Sequence, residues 1–308
     1  MTVLRVTFLG TSAAQPTQRR GLSATQIRAH SDRLLVDCGE GTQRQMLRFG
    51  TGFRLDLVLF THFHADHYLG IIGFLRTLAM GGRTEPLVVY GPSPFVTREL
   101  REVIHVGIGE LPYPVELRPL AQGDVVARDG YWIRAVGVDH RMPALGYVIE
   151  EPPRPGVFDV AAARALGVEP GPLYSELQSG RAVTSREGRE VRPEQVLGAA
   201  RPGRKLALSG DTRPCESFID AARGADLLVH DSTFSREEQA RAVETRHSTA
   251  FEAGEVAAAA GARQLVLSHL STRYDTRPHV LRGEAKRAFR GEITVAEDGL
   301  AIELPLEH

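Results

Sequence analysis

Apolar runs that end in small or polar residues recur along the chain, at residues 3–9, 33–37, 55–61, 87–91, 132–138, 205–209, 227–231 and 265–268. Short runs of this kind predict buried or half-buried strands. Between them, helical spacing of apolar residues predicts helices over 69–80, 93–105, 216–223, 249–261 and 277–289. Strand alternating with helix predicts a layered α/β architecture, and 308 residues are enough for one such domain over the whole chain. The rhythm breaks between 151 and 203, where proline, glycine and charge are dense and the short amphipathic pieces 159–166 and 174–178 are too small to make a core. On pattern alone this stretch is a surface excursion inserted into the domain.

Composition narrows the picture a little. Hydrophobic content of 42% and charged content of 24% are those of a globular chain. No apolar run approaches the roughly 18 residues that a membrane span needs, and residues 1–9 read as a strand rather than a signal peptide. The expected location is therefore the cytoplasm. Cys38 and Cys215 give neither a disulfide framework nor a cysteine-based zinc site. With 37 basic and 38 acidic side chains the chain lacks the basic excess of many nucleic-acid binders. A polyanionic substrate then requires clustered arginines or bound metal to supply positive charge. Residues 154–205 carry nine basic and six acidic side chains, so that stretch is locally positive.

The strongest chemical signal is His62-Phe63-His64-Ala65-Asp66-His67, directly after the predicted strand 55–61. Three imidazoles and a carboxylate in one loop are donors of the kind zinc takes. A loop at the C-terminal end of a strand is where α/β sheets present ligands. Three of the chain's eleven histidines in six residues make an ordinary solvated turn a poor explanation. One loop cannot complete two metal shells. His140, Asp211 and His269 follow three other predicted strands; each alone reads as a hydrogen-bonded structural residue, but together they read as ligands.

With Asp37, these residues resemble the metallo-β-lactamase fold superfamily, a four-layer αββα sandwich. The finer resemblance is to the ribonuclease Z family, with an inserted flexible arm. It rests on Phe8-Leu9-Gly10-Thr11, Asp37-Cys38-Gly39-Glu40-Gly41-Thr42-Gln43, Gly146-Tyr147, Gly210-Asp211-Thr212-Arg213, His230-Asp231-Ser232-Thr233-Phe234, His247-Ser248-Thr249 and Leu267-Ser268-His269. The resemblance implies a zinc phosphodiesterase that removes the 3′ trailer of precursor tRNA, leaving a 3′-hydroxyl on the tRNA and a 5′-phosphate on the trailer. It implies two Zn2+ per chain, with Mn2+ or Co2+ able to take the same donors. One ion falls to His62, His64, His140 and Asp211, the other to Asp66, His67, His269 and the same Asp211 as bridge. Asp66 is also implied as general base, His247 as the group that assists the leaving oxygen, and Asp37 as the carboxylate that orients a ligand histidine.

The excursion at 151–203 resembles the family's tRNA-gripping arm through Phe158-Asp159, Leu166-Gly167-Val168 and Pro170-Gly171-Pro172-Leu173-Tyr174, with Gly171 and Pro172 at its tip. In the family this arm reaches across a homodimer to the other subunit's active site. Two departures stand out. Pro16-Thr17-Gln18-Arg19-Arg20-Gly21 carries Gln18 and Gly21 where many members have lysine and asparagine, so rules for discriminating the 3′ CCA do not transfer. Ala65 replaces a common glycine. The competing enzyme class is a small-molecule metallohydrolase, such as a lactonase or a cyclic-nucleotide phosphodiesterase, which shares the ligands but does not need the arm. A non-catalytic RNA-binding scaffold is the other alternative, and the complete ligand set opposes it.

Overall fold

The computed structural model describes residues 3–104, 106 and 110–306; His105, the expected end of the second helix, and Met1 and Thr2 of the opening segment lie outside them. The chain divides into two compact units, one running to Glu150 and resuming at Arg204, the other Glu151–Gly203.

The first unit opens with β1 (Leu4–Gly10), β2 (Ala24–Ala29), β3 (Asp32–Val36), α1 (Thr42–Arg48), β4 (Leu57–Leu59), α2 (Ala65–Tyr68), α3 (Ile71–Met80), β5 (Leu87–Pro92), α4 (Phe95–Val103) and β6 (Val115–Leu120). Next come β7 (Val125–Arg128), β8 (Tyr131–Gly137) and β9 (Leu145–Glu150). The second unit holds α5 (Val160–Ala165), α6 (Pro172–Gln178), β10 (Val183–Thr184) and β11 (Glu190–Val191). The first unit resumes with β12 (Lys205–Leu208), α7 (Glu216–Ala221), β13 (Leu227–Asp231), α8 (Gln239–Thr245) and α9 (Ala250–Ala260). It closes with β14 (Gln264–Ser268), α10 (His279–Ala288), β15 (Glu292–Val295) and β16 (Ala301–Glu303).

Two seven-stranded sheets result, ordered β16-β1-β2-β3-β4-β5-β6 and β15-β14-β13-β12-β9-β8-β7. Their central strands are apolar on both faces. Leu34 and Val36 of β3, and Leu227 and Val229 of β13, enter the core between the sheets. Leu35 turns outward under the helices of the first sheet and Leu228 under those of the second. Burial on both sides is why such strands read as continuous apolar runs, and it obliges helices to cover each outer face. α3 does so with Ile71, Phe74, Leu75 and Leu78, one stripe at helical spacing. α9 begins where Thr249 and Glu252 cap each other's backbone N–H and ends at Gly261 in the left-handed region, φ 62°. The layers are therefore helix, sheet, sheet, helix, as expected.

Several strands were not expected. β2 carries Thr25, Gln26 and Arg28, and β7, β15 and β16 are short outer strands whose polar residues hide the apolar alternation. The second unit also corrects an expectation, because it does have a core. Ala163, Val168, Leu177, Val183, Val191 and Val196 are buried together. Most of these lie in turns and in the two-residue strands β10 and β11, so no helical period announces them.

Parallel pairing decides where chemistry can sit. β3 to β6 run parallel in one sheet, and β12 to β15 in the other. Residues just past their C-terminal ends are gathered at one edge of the sandwich, the position open α/β sheets use for ligands.

The two sheets are also tied by Asp32 on β3, which accepts from Arg128 Nε at 2.8 Å and Tyr131 Oη at 2.7 Å. Burial opposes its ionisation, but these two donors outweigh it and hold the carboxyl below its ordinary value. A depressed folded pKa contributes stability above the unfolded value, about 4, and loses it as pH falls through the folded one. Asp32→Asn is therefore expected to lower the melting temperature at pH 7 and to narrow its gap to wild type below about pH 3. Thermal unfolding followed across pH reads this; a gap that does not change with pH contradicts it.

Candidate metal centre

Nine side chains from six strand ends meet at that edge. Asp37 follows β3, His62 to His67 follow β4, His140 follows β8, Asp211 follows β12, Asp231 ends β13 and His269 follows β14. The backbone makes special accommodation for them. Asp37 and His269 both take positive φ, 59° each, although neither is glycine. Gly70, just after α2, approaches the Gly39 carbonyl so closely that a Cβ there would lie 2.0 Å from its oxygen. That contact packs the histidine loop onto the turn after β3.

One cluster comprises His62, His64, His140 and Asp211, and a second comprises Asp66, His67 and His269, each with donor atoms within 4.8 Å of one another. His64 Nδ1 lies 3.0 Å from His62 Nε2 and 3.1 Å from His140 Nε2. Asp211 Oδ2 lies 3.6 Å from His62 Nε2, 3.3 Å from His67 Nε2 and 3.4 Å from His269 Nε2, so it belongs to both sets. Asp66 Oδ2 is 3.4 Å from His269 Nε2 and 3.6 Å from His67 Nε2. Donors about 2.0–2.1 Å from a tetrahedral ion stand roughly 3.3 Å apart, so these separations suit zinc-like coordination. All seven candidates from the His62 to His269 set are brought together.

The remaining ring nitrogens are occupied, which fixes the tautomers. His67 Nδ1 donates to Asp37 Oδ2 at 2.8 Å, and His140 Nδ1 donates to the Arg246 carbonyl at 2.9 Å. His269 Nδ1 stands 2.9 Å from Thr233 Oγ1, whose own proton goes to Asp231 Oδ1 at 2.6 Å. In each case Nε2 is aimed at the cluster. Electrostatics divide the rings: Asp211 and Asp37 overcome burial and raise the His67 pKa well above its ordinary value, so that ring must release a proton to act as a ligand. Burial, reinforced by neighbouring imidazoles, pushes His62, His64 and His140 below the ordinary histidine value, so they stay neutral as ligands must. For Asp211 burial acts the other way, but His269, His67 and His62 outweigh it and keep the carboxyl ionised.

Asp231 belongs to the quoted motif His230-Asp231-Ser232-Thr233-Phe234, but the sequence assigned it no role of its own. Together with Asp211, His247 and His269 it forms a third possible donor set. Its oxygens are already engaged: Oδ1 accepts from Thr233 N at 2.9 Å, and Oδ2 from Thr212 N at 3.0 Å and His247 Nδ1 at 2.8 Å. Its geometry is that of an orienting group rather than a ligand. Burial alone would lower the His247 pKa, but Asp231 reverses this and raises it to about 9. His247 Nε2 makes no hydrogen bond among the described residues, and its ring stacks on His269 with centroids 5.2 Å apart. An acid closing the fully buried strand β13 is the signal that could have flagged Asp231.

Above the clusters opens a cavity of about 640 Å³, lined by Asp66, Asp211, His247, Phe234, Arg241 and Arg273 among others. It supplies positive charge and an aromatic wall beside the donors. Gly171 and Pro172 belong to the second unit, where Pro172 is the first residue of α6 and both are exposed.

Comparison with known proteins follows the same lines. The family model for the metallo-beta-lactamase superfamily matches residues 20–172, and that for the beta-lactamase superfamily domain matches 175–270. The chain is 60% identical over 306 residues to a ribonuclease Z of Myxococcus xanthus, covering 99% of each chain. It is 48% identical to a ribonuclease Z of Natronomonas pharaonis, covering 98% of each. Among solved structures, the human short-form tRNase Z superposes with a TM-score of 0.69 at 25% identity, covering 98% of this chain and 100% of that one. A metallo-beta-lactamase fold protein of Bacillus subtilis gives the same TM-score at 19% identity, again covering 98% and 100%, which speaks to the fold alone.

Proposed function

The chain belongs to the ribonuclease Z family of the metallo-β-lactamase superfamily, and from that membership we propose how its own side chains perform tRNA 3′-end processing. The protein is a metal-dependent endoribonuclease acting on the 3′ side of precursor tRNA. The observation that carries the mechanism is the pair of donor sets sharing Asp211.

The donor chemistry fits two Zn2+ ions: His62, His64 and His140 would hold one and Asp66, His67 and His269 the other, with Asp211 able to serve both. When bound, such a pair supplies Lewis acidity to the phosphodiester and acidifies the attacking water. The protein's own groups do the rest. Asp37 and Thr233 hold His67 and His269 in orientation. For Asp66, burial opposes ionisation but His269 and His67 prevail, so its carboxylate is available to receive the water's proton. Asp231 holds a proton on His247, whose free Nε2 delivers it to the leaving 3′ oxygen of the tRNA. The products of that proton traffic are a 3′-hydroxyl on the tRNA and a 5′-phosphate on the trailer.

We assign residues 151–203 as the arm that grips the tRNA body, with Gly171 and Pro172 at its tip, in a cytoplasmic homodimer. The support is the family resemblance and the separate compact unit. Phosphate contacts of this kind fix position rather than sequence. No helix among the described residues is long and apolar enough to cross a membrane.

Deleting residues 159–191 tests the assignment. The apparent dissociation constant for tRNA is expected to rise at least about tenfold, the equivalent of 1.4 kcal/mol, while hydrolysis of a small aryl phosphodiester persists. Equal loss of both activities would overturn the arm's role. Unchanged tRNA binding and cleavage would overturn it as well.

A further inference from the structure

A second cleft, of about 360 Å³, lies between the loop after β1 and helix α1. Gln18 and Arg19 line one side of it, and Glu40, Arg44 and Arg48 the other. All five are exposed. Arg19, Arg44 and Arg48 form no ion pair among the described residues, unlike exposed Arg223, which pairs with Asp220, and Arg246, which pairs with Asp139. Glu40 and the partly buried Asp298 are the acids on the cleft, so with three exposed arginines the wall remains net positive.

The loop that forms the cleft is rigidly built. Arg20 is buried and donates from Nη1 to Thr11 Oγ1 at 2.7 Å and to the Ala296 carbonyl at 2.5 Å. Thr17 Oγ1 bonds Asp275 at 3.1 Å and accepts from the Arg19 and Arg20 N–H groups. Asp298 accepts from Gly21 N at 2.6 Å, from Thr11 Oγ1 at 2.8 Å and from Gln45 Nε2 at 2.5 Å. Arg20 is thus committed to holding the loop, and Arg19 is left to face outward.

The same loop also reaches the metal centre. Ala14 N donates to Asp66 Oδ2 at 2.8 Å, and Ala13, Ala14 and Gln15 line the large cavity. From Ala14 to Arg19 the chain spans at most roughly 17 Å. A polyanion leaving the cavity along this loop arrives at the three arginines.

We infer that this cleft is a phosphate-binding track for the single-stranded 3′ trailer, with Arg19, Arg44 and Arg48 as its contacts. The inference rests on the precursor-tRNA reading of the metal centre. The trailer is the strand that begins at the cut phosphodiester, and the loop runs from the metal centre to this cleft, which assigns the cleft to the trailer rather than to the acceptor stem. Guanidinium groups suit such contacts because they pair with phosphate oxygens bidentately and stay charged.

The test compares kcat/KM for two precursors of the same tRNA, one with a trailer of one nucleotide and one with a trailer of about eight, in the full-length protein. In wild type the long trailer is favoured. In Arg44→Glu/Arg48→Glu the ratio of long to short is expected to fall at least about tenfold. The salt slope of the long substrate should also shrink by about 0.7 for each lost contact. Arg287→Glu/Arg290→Glu, exposed positions with the same change in net charge, should keep the wild-type ratio. An unchanged ratio in the cleft variant overturns the inference. So does weaker binding of trailer-free mature tRNA to the same degree, because the arginines would then serve the tRNA body. A wild-type protein that cuts neither precursor fails the tRNA reading itself, and the trailer track with it.

Discussion

Asp211→Ala is expected to eliminate precursor cleavage, with a loss of at least about 10³-fold, because metal assistance to a phosphoryl centre supplies several kcal/mol. The reason lies in shared geometry. Asp211 Oδ2 stands within 3.6 Å of nitrogens from both histidine sets, so its removal opens both at once. It also leaves His67 without one of the two carboxylates, Asp211 and Asp37, that together overcome burial and keep its pKa raised. Metal content should therefore fall below two ions per chain after purification, measured by plasma emission. The buried position argues for checking the fold by circular dichroism alongside. Asp211→Asn, which keeps the volume, should show the same metal deficit. Two tightly held ions in either variant would contradict the bridging role.

His247→Ala is expected to slow the chemical step by about 10²–10⁴-fold, the usual worth of a positioned proton donor, while tRNA binding and metal content persist. His247 differs from the ligands in this respect, since its Nδ1 is bonded to Asp231 and its Nε2 is unengaged. The ionisation gives a further handle. A donor works while protonated, so the rate should fall as pH rises through the histidine's pKa. Asp231 is the charge that raises that pKa, so Asp231→Asn should move the alkaline limb of log kcat to lower pH. Single-turnover cleavage across pH reads both. Wild-type chemical rates in His247→Ala, or an unmoved limb in Asp231→Asn, would refute proton delivery from this ring.

The layered fold and most of the candidate site could be read from the sequence for one physical reason. Strands such as β13 and β14 are buried on both faces, so they appear as plain apolar runs, and the residues just beyond them fall at one edge. His62 to His67, His140, Asp211 and His269 were found in that way. What the sequence concealed has equally physical causes. The clamp on His140 is the Arg246 backbone carbonyl, held in a left-handed conformation at φ 58°, and no side chain advertises it. Asp231 was hidden because an acid at a strand end is unremarkable until His247, sixteen residues later, is found bonded to it. The core of the second unit was missed because its valines come from turns and two-residue strands. Arg20 gave no sign in the sequence that its guanidinium is buried as a structural pin.

The most direct test of the central claim is cleavage of a 5′-labelled, 3′-extended precursor tRNA with and without chelator, with product length read on a sequencing gel. The account predicts a single chelator-sensitive cut near the discriminator base, leaving a 3′-hydroxyl on the tRNA. No cut, from protein that holds two metal ions and hydrolyses a small phosphodiester, would contradict it and assign the site to small-molecule chemistry.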